Sequence, residues 1–280
     1  MSVAGWQAAL RASLLTPNGP WQQVDALATV DSTNAESLRD PRPWRLVAAG
    51  EQTAGRGRRS RSWQSPAGTS VALSATVPLA AVPDVLGWFP LLTGLAVRDA
   101  LAALTGSPDG FVLKWPNDVL ARTDSAGLPW GKVCGVLCDV VGSLVVAGVG
   151  VNVTVPRSHL PVPTATSLQL CGHSVSRRAI AIGVARALAD VHAGWVAGST
   201  DLDRLTGSYR RWCQTIGTDV TVSTPDGRVR RGVARNLDSQ GRLVFESPGG
   251  ISLVAAADVV HLRPRVTQVD DARGTPPTGA

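Results

Sequence analysis

Apolar and polar positions change their period several times along the chain, and each change marks an element. Trp6 to Leu15 repeats at helical spacing and runs into the turn TPNGP, after which Val24 to Val30 alternates as a strand. Asp31-Ser32-Thr33-Asn34 opens a short helix, Arg45 to Ala49 reads as a strand, and Glu51 to Gly68 is a Gly/Arg/Ser loop. Ser70 to Val77 alternates again, and Val85 to Leu104 predicts one long helix buried on most sides. Two short strands, Val112 to Trp115 and Asp118 to Ala121, flank the break at Pro116-Asn117. Two longer ones, Lys132 to Val141 and Leu144 to Val153, are joined by Gly142-Ser143, a tight-hairpin signal. Ser176 to Ala197 and Leu202 to Trp212 return to helical spacing. Strands with helices gathered around them predict an α+β fold.

Beyond Gly217 the texture shifts to short β-runs broken by Pro225-Asp226-Gly227, Asp238-Ser239-Gln240-Gly241 and Pro248-Gly249-Gly250, which predicts a small β-barrel. The expected organisation is a large domain over residues 1–215, the barrel over 216–265, and a disordered tail over 266–280 that lacks a core-forming pattern.

Composition narrows the classes. With 44% hydrophobic and 17% charged residues the chain buries a core, and its 280 residues suit one large domain and a small one. No run approaches the roughly 18 uninterrupted apolar residues of a membrane span, and the start lacks the marks of a signal peptide. The expected setting is the cytoplasm, with no membrane partner. Four cysteines, at 134, 138, 171 and 213, have neither zinc-ligand nor disulfide-framework spacing and read as buried free thiols. The histidines are equally scattered, so neither a His triad nor a metal cluster has support.

Charge is concentrated rather than spread. Of the formal net +6, four arginines, Arg56, Arg58, Arg59 and Arg61, fall within six consecutive positions, which suits a compact polyanion better than a nucleic-acid stripe. The cations comprise 25 Arg and two Lys, so Lys114 and Lys132 stand out in a chain that otherwise uses arginine.

Four segments carry candidate chemistry. In GRGRRSRSW, Gly55 to Trp63, alternating glycines and guanidinium forks suit a loop that orders over a phosphate and a carboxylate; a solvated basic loop is the plainer reading. Its Gly55-x-Gly57-x-x-Ser60 lacks the third glycine and following helix of a dinucleotide fingerprint. Lys114-Trp115-Pro116-Asn117-Asp118 gathers a cation, an amide and a carboxylate at a strand end, although Pro-Asn-Asp alone is an ordinary turn. Gly131-Lys132 opens the next strand, and GLPWGK has neither the glycine spacing nor the Ser/Thr of a P-loop. The glycines of Gly148-Val149-Gly150-Val151-Asn152 mark either close approach of a ligand or a bulge.

In this order, DSTN, EQTAGRGRRSRSW, KWPNDV, GKVCGVL and GVGVNV resemble the catalytic domain of biotin protein ligases over about residues 25 to 170, and chain length with the C-terminal β-runs extends the likeness to about 265. The resemblance implies a mixed-sheet catalytic domain of the biotin/lipoate ligase type with an SH3-like C-terminal barrel. It implies ATP and biotin as substrates, Mg²⁺ as cofactor, and a biotin carboxyl carrier protein as partner, without DNA, in a monomer or weak ligand-linked homodimer. It places biotin against Ser32, Thr33, Asn34, Gln52, Gly55, Arg56, Arg58, Lys132 and Gly135, and nucleotide against Arg58, Arg61, Trp63, Lys114, Asn117 and Asn152. Lys132 and Arg58 would offset charge at the α-phosphate, while Asp118 would lie near magnesium and accept or orient the acceptor lysine's proton. Neutral partners suit an uncharged ureido ring; Thr33-x-x-Glu36 also reads as a capping box, with Ser32 or Thr33 as the cap. Ser60 replaces the loop's third glycine, and Asp139 stands where the family often has Glu; neither is expected to touch a contact residue.

Three other functions are weighed. A lipoate ligase shares fold and adenylation chemistry, but the complete Arg loop with KWPND favours biotin. A DNA-binding repressor needs a helix-turn-helix domain, and only about 24 residues precede the motifs. A non-catalytic relative is disfavoured by the intact set Arg58, Lys114 and Lys132.

Overall fold

The computed structural model describes residues 3–58, 61–64, 66–79, 83–124, 128–197, 199–223, 227–255 and 258–261. The expected tail over 266–280 lies outside the described residues.

A seven-stranded mixed sheet forms the centre, built from β1 (Gln23–Val30), β2 (Arg45–Gln52), β3 (Ser70–Pro78), β4 (Phe111–Lys114), β5 (Asp118–Arg122), β6 (Trp130–Val141) and β7 (Leu144–Asn152) in the order β1-β2-β3-β7-β6-β5-β4. Only β1 and β2 run parallel, joined by α2 (Thr33–Arg39); every other neighbouring pair is antiparallel. Gly142, at φ 55, makes the expected tight turn between β6 and β7.

The register explains the two faces. Directly opposed residues of antiparallel strands point the same way, so Ala72, Gly150, Gly135 and Asp118 form one row across β3, β7, β6 and β5. Ser74, Gly148 and Leu137 form the next row. This face is nearly bare of large side chains. On the other face Leu73, Val149 and Val136, then Val71, Val151, Cys134 and Val119, are buried under α3 (Phe89–Thr105) and α4 (Arg177–Ala197). Layers of this kind bury one face and leave the other for a ligand.

Two expectations about elements are corrected. The single helix over Val85 to Leu104 is a 3₁₀ segment, Pro83–Trp88, followed by α3, because Pro90 has no N–H and is tolerated only in a helix's first turn. The loop assigned from Glu51 begins later, since β2 continues to Gln52. Helix α1 (Val3–Leu14) packs on β1 and α4. The segment Arg177–Val196 of α4 is, by length and composition, long and apolar enough to cross a membrane; half of it is buried in the fold, where it packs on α3.

After α5 (Ser199–Trp212), strands β8 (Asp219–Ser223), β9 (Val229–Leu237), β10 (Leu243–Ser247), β11 (Gly250–Val254) and β12 (Asp258–His261) form an antiparallel sheet in the order β11-β10-β9-β8-β12. No pairing of β11 with β12 is found among the described residues, so the β-rich C-terminal unit is seen as a sheet around a buried core of Val220, Val222, Ala234 and Phe245. That core is continuous with the main one. The β9–β10 turn is fixed to the larger sheet's surroundings by Trp88 Nε1 donating to Ser239 O at 2.9 Å and Trp115 Nε1 donating to Gly241 O at 3.0 Å.

Candidate active site

The small-residue face floors a cavity of about 790 Å³. Its walls come from the start of α2, the end of β2, the Arg-rich loop, the β4–β5 hairpin and β6, with Val259 of β12 at one side.

At one end α2 presents neutral polar groups. Ser32 is its N-cap, in extended conformation (φ −155°, ψ 135°), and its hydroxyl accepts from Ala35 N at 3.4 Å. Thr33 is therefore not the cap, and Glu36 does not close a capping box: it reaches Arg39 and Arg45 instead. Asp31 accepts from Ser32 N and pairs with Arg39, whose guanidinium first and the Ser32 N–H second hold its carboxyl below the usual range. Thr33 donates N–H to Gln52 Oε1 at 2.8 Å. Asn34 is buried, with Nδ2 donating to Leu137 O at 3.1 Å and to Asp139 Oδ2 at 2.8 Å, while Oδ1 accepts from Ser74 Oγ at 2.6 Å. Asp139 thus does touch a ligand-face residue, contrary to expectation, because the Asn34 amide passes over Gly148 of β7 to reach β6.

Over the floor the Arg-rich loop folds back on itself. Trp63 N donates to Gly55 O and Gly57 N to Arg61 O, with a β-bridge between Arg56 and Ser62. Gly55 is buried at this crossing, where a Cβ would stand 2.2 Å from Trp63 O; it does not line the cavity. Arg56, Arg58, Arg61 and Trp63 do line it. Ser60 and Arg59 lie outside the described residues. The glycines of β7 resolve the two readings left open for them: β7 pairs with β3 and β6 without a register shift, and what approaches Gly150 and Gly148 closely are the side chains of Trp63 and Asn34.

At the other end the β4–β5 hairpin sets Lys114 opposite Asp118, with a cis Trp115–Pro116 peptide at the turn. Asn117 is stapled to β6: its Nδ2 donates to Val136 O at 2.8 Å and its carbonyl accepts from Val136 N at 2.9 Å. Its Oδ1 accepts from Arg58 Nη1 at 3.4 Å, which ties the loop to the hairpin. Between β5 and β6 the register shifts, with Val119 opposite Cys134 but Leu120 opposite Lys132. The extra residue, Val133, enters the core with Cys134, and Lys132 turns onto the cavity face. Bulges re-aim side chains in this way. Lys132 Nζ then lies 2.7 Å from Asp118 Oδ1.

Residues 27–155 match the family model described as the biotin/lipoate A/B protein ligase family. A biotin–[acetyl-CoA-carboxylase] ligase of Mycobacterium tuberculosis is 38% identical over 262 residues, covering 91% of this chain and 94% of that protein. The chain belongs to this ligase family. A second biotin–[acetyl-CoA-carboxylase] ligase, from Paracoccus denitrificans, is 32% identical over 252 residues, covering 83% of this chain and 98% of that protein. The biotin protein ligase of Aquifex aeolicus, solved in complex with biotin and ATP, shares the fold with a TM-score of 0.71 at 24% identity, covering 87% of this chain and all of that one.

In this family member the cavity gathers Ser32, Thr33, Asn34, Gln52, Arg56, Arg58, Arg61, Trp63, Lys114, Asn117, Asp118, Lys132, Gly135 and Asn152, that is, every residue singled out from the sequence except Gly55. Asn152 is buried, its Nδ2 donating to Thr166 O at 3.0 Å, so it shapes the wall by holding the segment after β7. Ser74 escaped the sequence reading, sitting mid-strand with nothing to mark it, and Asp139, noted there only as a departure from the family's Glu, gains meaning from its bond to Asn34.

Asp118 is the one acidic side chain on the wall among the described residues, and no group of three or more potential metal ligands occurs among them. One carboxylate on a cavity wall fits magnesium, which keeps several waters and takes one or two carboxylates plus substrate oxygens. The thiols take no part: burial pushes Cys138 up to about 12 and raises Cys134 and Cys213 as well.

Proposed function

We propose that the chain is an ATP-dependent ligase that activates biotin to biotinyl-5′-AMP and transfers it to a lysine of the biotin carboxyl carrier of an acyl-CoA carboxylase. The observation that carries this reading is the bulge-aimed Lys132, paired with Asp118 in a cavity with neutral hydrogen-bonding groups at one end and arginines above. Residues 1–215 would be the catalytic domain and 216–265 the C-terminal one, working in the cytoplasm as a monomer or weak ligand-linked homodimer, without DNA or membrane partners.

The chemistry asks for positioning and charge, not for a protein nucleophile. Biotin's carboxylate, already ionised at neutral pH, attacks the α-phosphorus of ATP; a P–O bond forms, the bond to the β-phosphate bridging oxygen breaks, and pyrophosphate leaves. Both reactants are anions, and Lys132 and Arg58 lower the repulsion between them. Magnesium, when bound, adds positive charge on the phosphates, with Asp118 as the side chain that would hold it. Biotin and α-phosphate oxygens compete with Asp118 for the Lys132 ammonium, so substrate binding frees that carboxylate. The mixed anhydride is sensitive to water, and the described parts of the loop, Arg56 to Arg58 and Arg61 to Trp63, would cover it. In the second half, the carrier lysine's amine attacks the acyl carbon, AMP leaves, and Asp118 would take the amine's proton.

Biotin-dependent ATP–pyrophosphate exchange tests the assignment. Exchange is expected with biotin, absent with lipoate, and lost in Lys132→Ala. Exchange with lipoate alone would overturn the substrate, and undiminished exchange in the variant would overturn the role of Lys132.

A further inference from the structure

Behind the α2 end of the cavity lies a chain of buried polar side chains whose hydrogens can be placed one by one. Ser74 is fully buried on β3, opposite Gly148 of β7. A Cβ on Gly148 would stand 2.0 Å from Asn34 Oδ1, so the missing side chain is what lets the Asn34 amide enter between β3 and β6. There its two Nδ2 hydrogens go to Leu137 O and Asp139 Oδ2, both of which accept. Asn34 Oδ1 therefore faces Ser74, and as a pure acceptor it takes the single Ser74 hydrogen at 2.6 Å. The 2.8 Å contact between Ser74 Oγ and Thr33 Oγ1 joins two hydroxyls, either of which can donate; with the Ser74 hydrogen given to Asn34, Thr33 is the one left to donate across it. Thr33 Oγ1 also lies 3.1 Å from Gln52 Oε1, again a group that only accepts. Whichever of the two it favours, the Thr33 hydrogen is used within the wall and is not left for a ligand.

Two consequences follow at the wall. Thr33 Oγ1 offers the cavity lone pairs alone. Gln52, whose Oε1 is taken by Thr33 N–H at 2.8 Å, has only the hydrogens of Nε2 left to donate. An acceptor beside a donor matches an N–H next to a C=O in a ring, and gives no complementary partner to a dithiolane.

We infer that Ser74 and Asp139 are positioning residues that set this polarity: the Asp139 carboxylate and Leu137 carbonyl orient Asn34, Asn34 orients the Ser74 hydroxyl, and Ser74 turns the Thr33 hydrogen inward so that Thr33 receives a ring N–H of the ligand. The inference rests on the proposed biotin reading and makes these two residues, neither of which meets the ligand, determinants of specificity for a cyclic urea. Chained hydrogen bonds in a buried setting reinforce one another, so removing either end weakens the acceptor at the other.

The test compares biotin with biotin methylated on a ureido nitrogen, in pyrophosphate exchange, for the wild type, Ser74→Ala, Asp139→Ala and Asp139→Glu. The wild type is expected to discriminate strongly against the methylated ligand. In Ser74→Ala and Asp139→Ala the biotin KM should rise roughly tenfold, the loss expected when one buried hydrogen bond is undone, with the ATP KM unchanged and the preference for biotin over its methylated form reduced by a similar factor. Asp139→Glu, which keeps a carboxylate, should recover most of the loss. A merely structural role would raise both KM values together or leave the preference intact, and either result overturns the inference. Asp139 is only half-buried, so Asp139→Ala decides the matter should Ser74→Ala fail to fold. Absence of any biotin-dependent exchange in the wild type would instead refute the proposed function itself.

Discussion

The Trp63 indole lies flat against Gly150: a Cβ added at Gly150 would stand 2.5 Å from Trp63 Cε2 and 2.7 Å from Nε1, and one at Gly135 would stand 3.0 Å from Cζ3. Two glycines on neighbouring strands, paired in register, thus make a bed for one aromatic ring from the Arg-rich loop. Its Nε1 is buried without a hydrogen-bond partner among the described residues, a donor left for whatever fills the cavity.

Gly150→Ala should displace Trp63 and with it the loop segment that the ring anchors. Alanine is no worse than glycine in a strand, so thermal stability should change by less than about 1 kcal/mol. The ATP KM, in contrast, should rise about tenfold, the equivalent of roughly 1.4 kcal/mol of lost contact. Steady-state exchange kinetics together with a melting curve separate the two effects. Unchanged kinetics would mean that the ring's seat on Gly150 has no part in binding.

Lys132 and Asp118 form a pair in which each restrains the other. Lys132 Nζ is 2.7 Å from Asp118 Oδ1, and the neighbouring Gly135 would bring a Cβ within 3.4 Å of the Lys132 ammonium. A planar guanidinium spreads its charge over three nitrogens and cannot present a compact ammonium at that position. Lys132→Arg should therefore lower kcat for exchange by about 10²-fold, within the range for loss of one preorganised charge partner. Asp118→Asn should have an uneven effect, slowing transfer to the carrier lysine more than pyrophosphate exchange, since only transfer releases a proton. Equal losses in both half-reactions would remove Asp118 from the proton's path.

Much of this site was legible because its chemistry is local in sequence. DSTN, the Arg loop, KWPND and GK each sit at the end of an element, and strand ends on one sheet face converge in space whatever the details of packing. What could not be read depends on register. The bulge at Val133 turns Lys132 onto the cavity face, and no residue type announces it. Gly55 was placed with the ligand, whereas its lack of a side chain serves the loop's own crossing against Trp63 O. Asp139 was set aside for want of a visible partner, and its partner, Asn34, lies 105 positions away. The break before α3 is the exception, because Pro90 marks it in the sequence.

The KWPND hairpin is held from behind by the C-terminal sheet. Trp115 is fully buried, its N–H accepted by Thr215 Oγ1 at 3.0 Å and its indole Nε1 donating to Gly241 O at 3.0 Å. Trp115→Phe keeps most of the packing but strands the Gly241 carbonyl, at a cost of about 1–3 kcal/mol for an unsatisfied buried group. Denaturation midpoints should fall accordingly. Because Lys114 and Asn117 flank Trp115 on the cavity wall, the ATP KM should rise as well, while biotin binding measured without nucleotide should hold. Weakened biotin binding in the absence of ATP would show that the C-terminal sheet supports the whole cavity and not one end of it.

His192 gives the fold a dependence on pH that is separate from catalysis. It is buried on α4, with Nε2 2.9 Å from Pro78 O and its ring edge-on to Trp44 at 4.7 Å between centroids. Burial lowers its pKa below the ordinary 6.5, and the hydrogen bond to Pro78 O offsets this only in part. Above pH 6.5 the ring is neutral in both the folded and the unfolded chain, so stability does not vary with pH on its account. As pH falls below 6.5 the unfolded chain binds a proton that the folded one resists, and stability drops until the lowered folded pKa is reached. For one proton the slope is at most about 1.4 kcal/mol per pH unit. His192→Gln retains a donor for Pro78 O and has no titrating ring. The difference in unfolding free energy between wild type and His192→Gln should therefore be constant from pH 8 to 6.5 and shift in favour of the variant from pH 6.5 to 5. A difference that stays flat over the whole range would show that the ring is not held neutral by its burial.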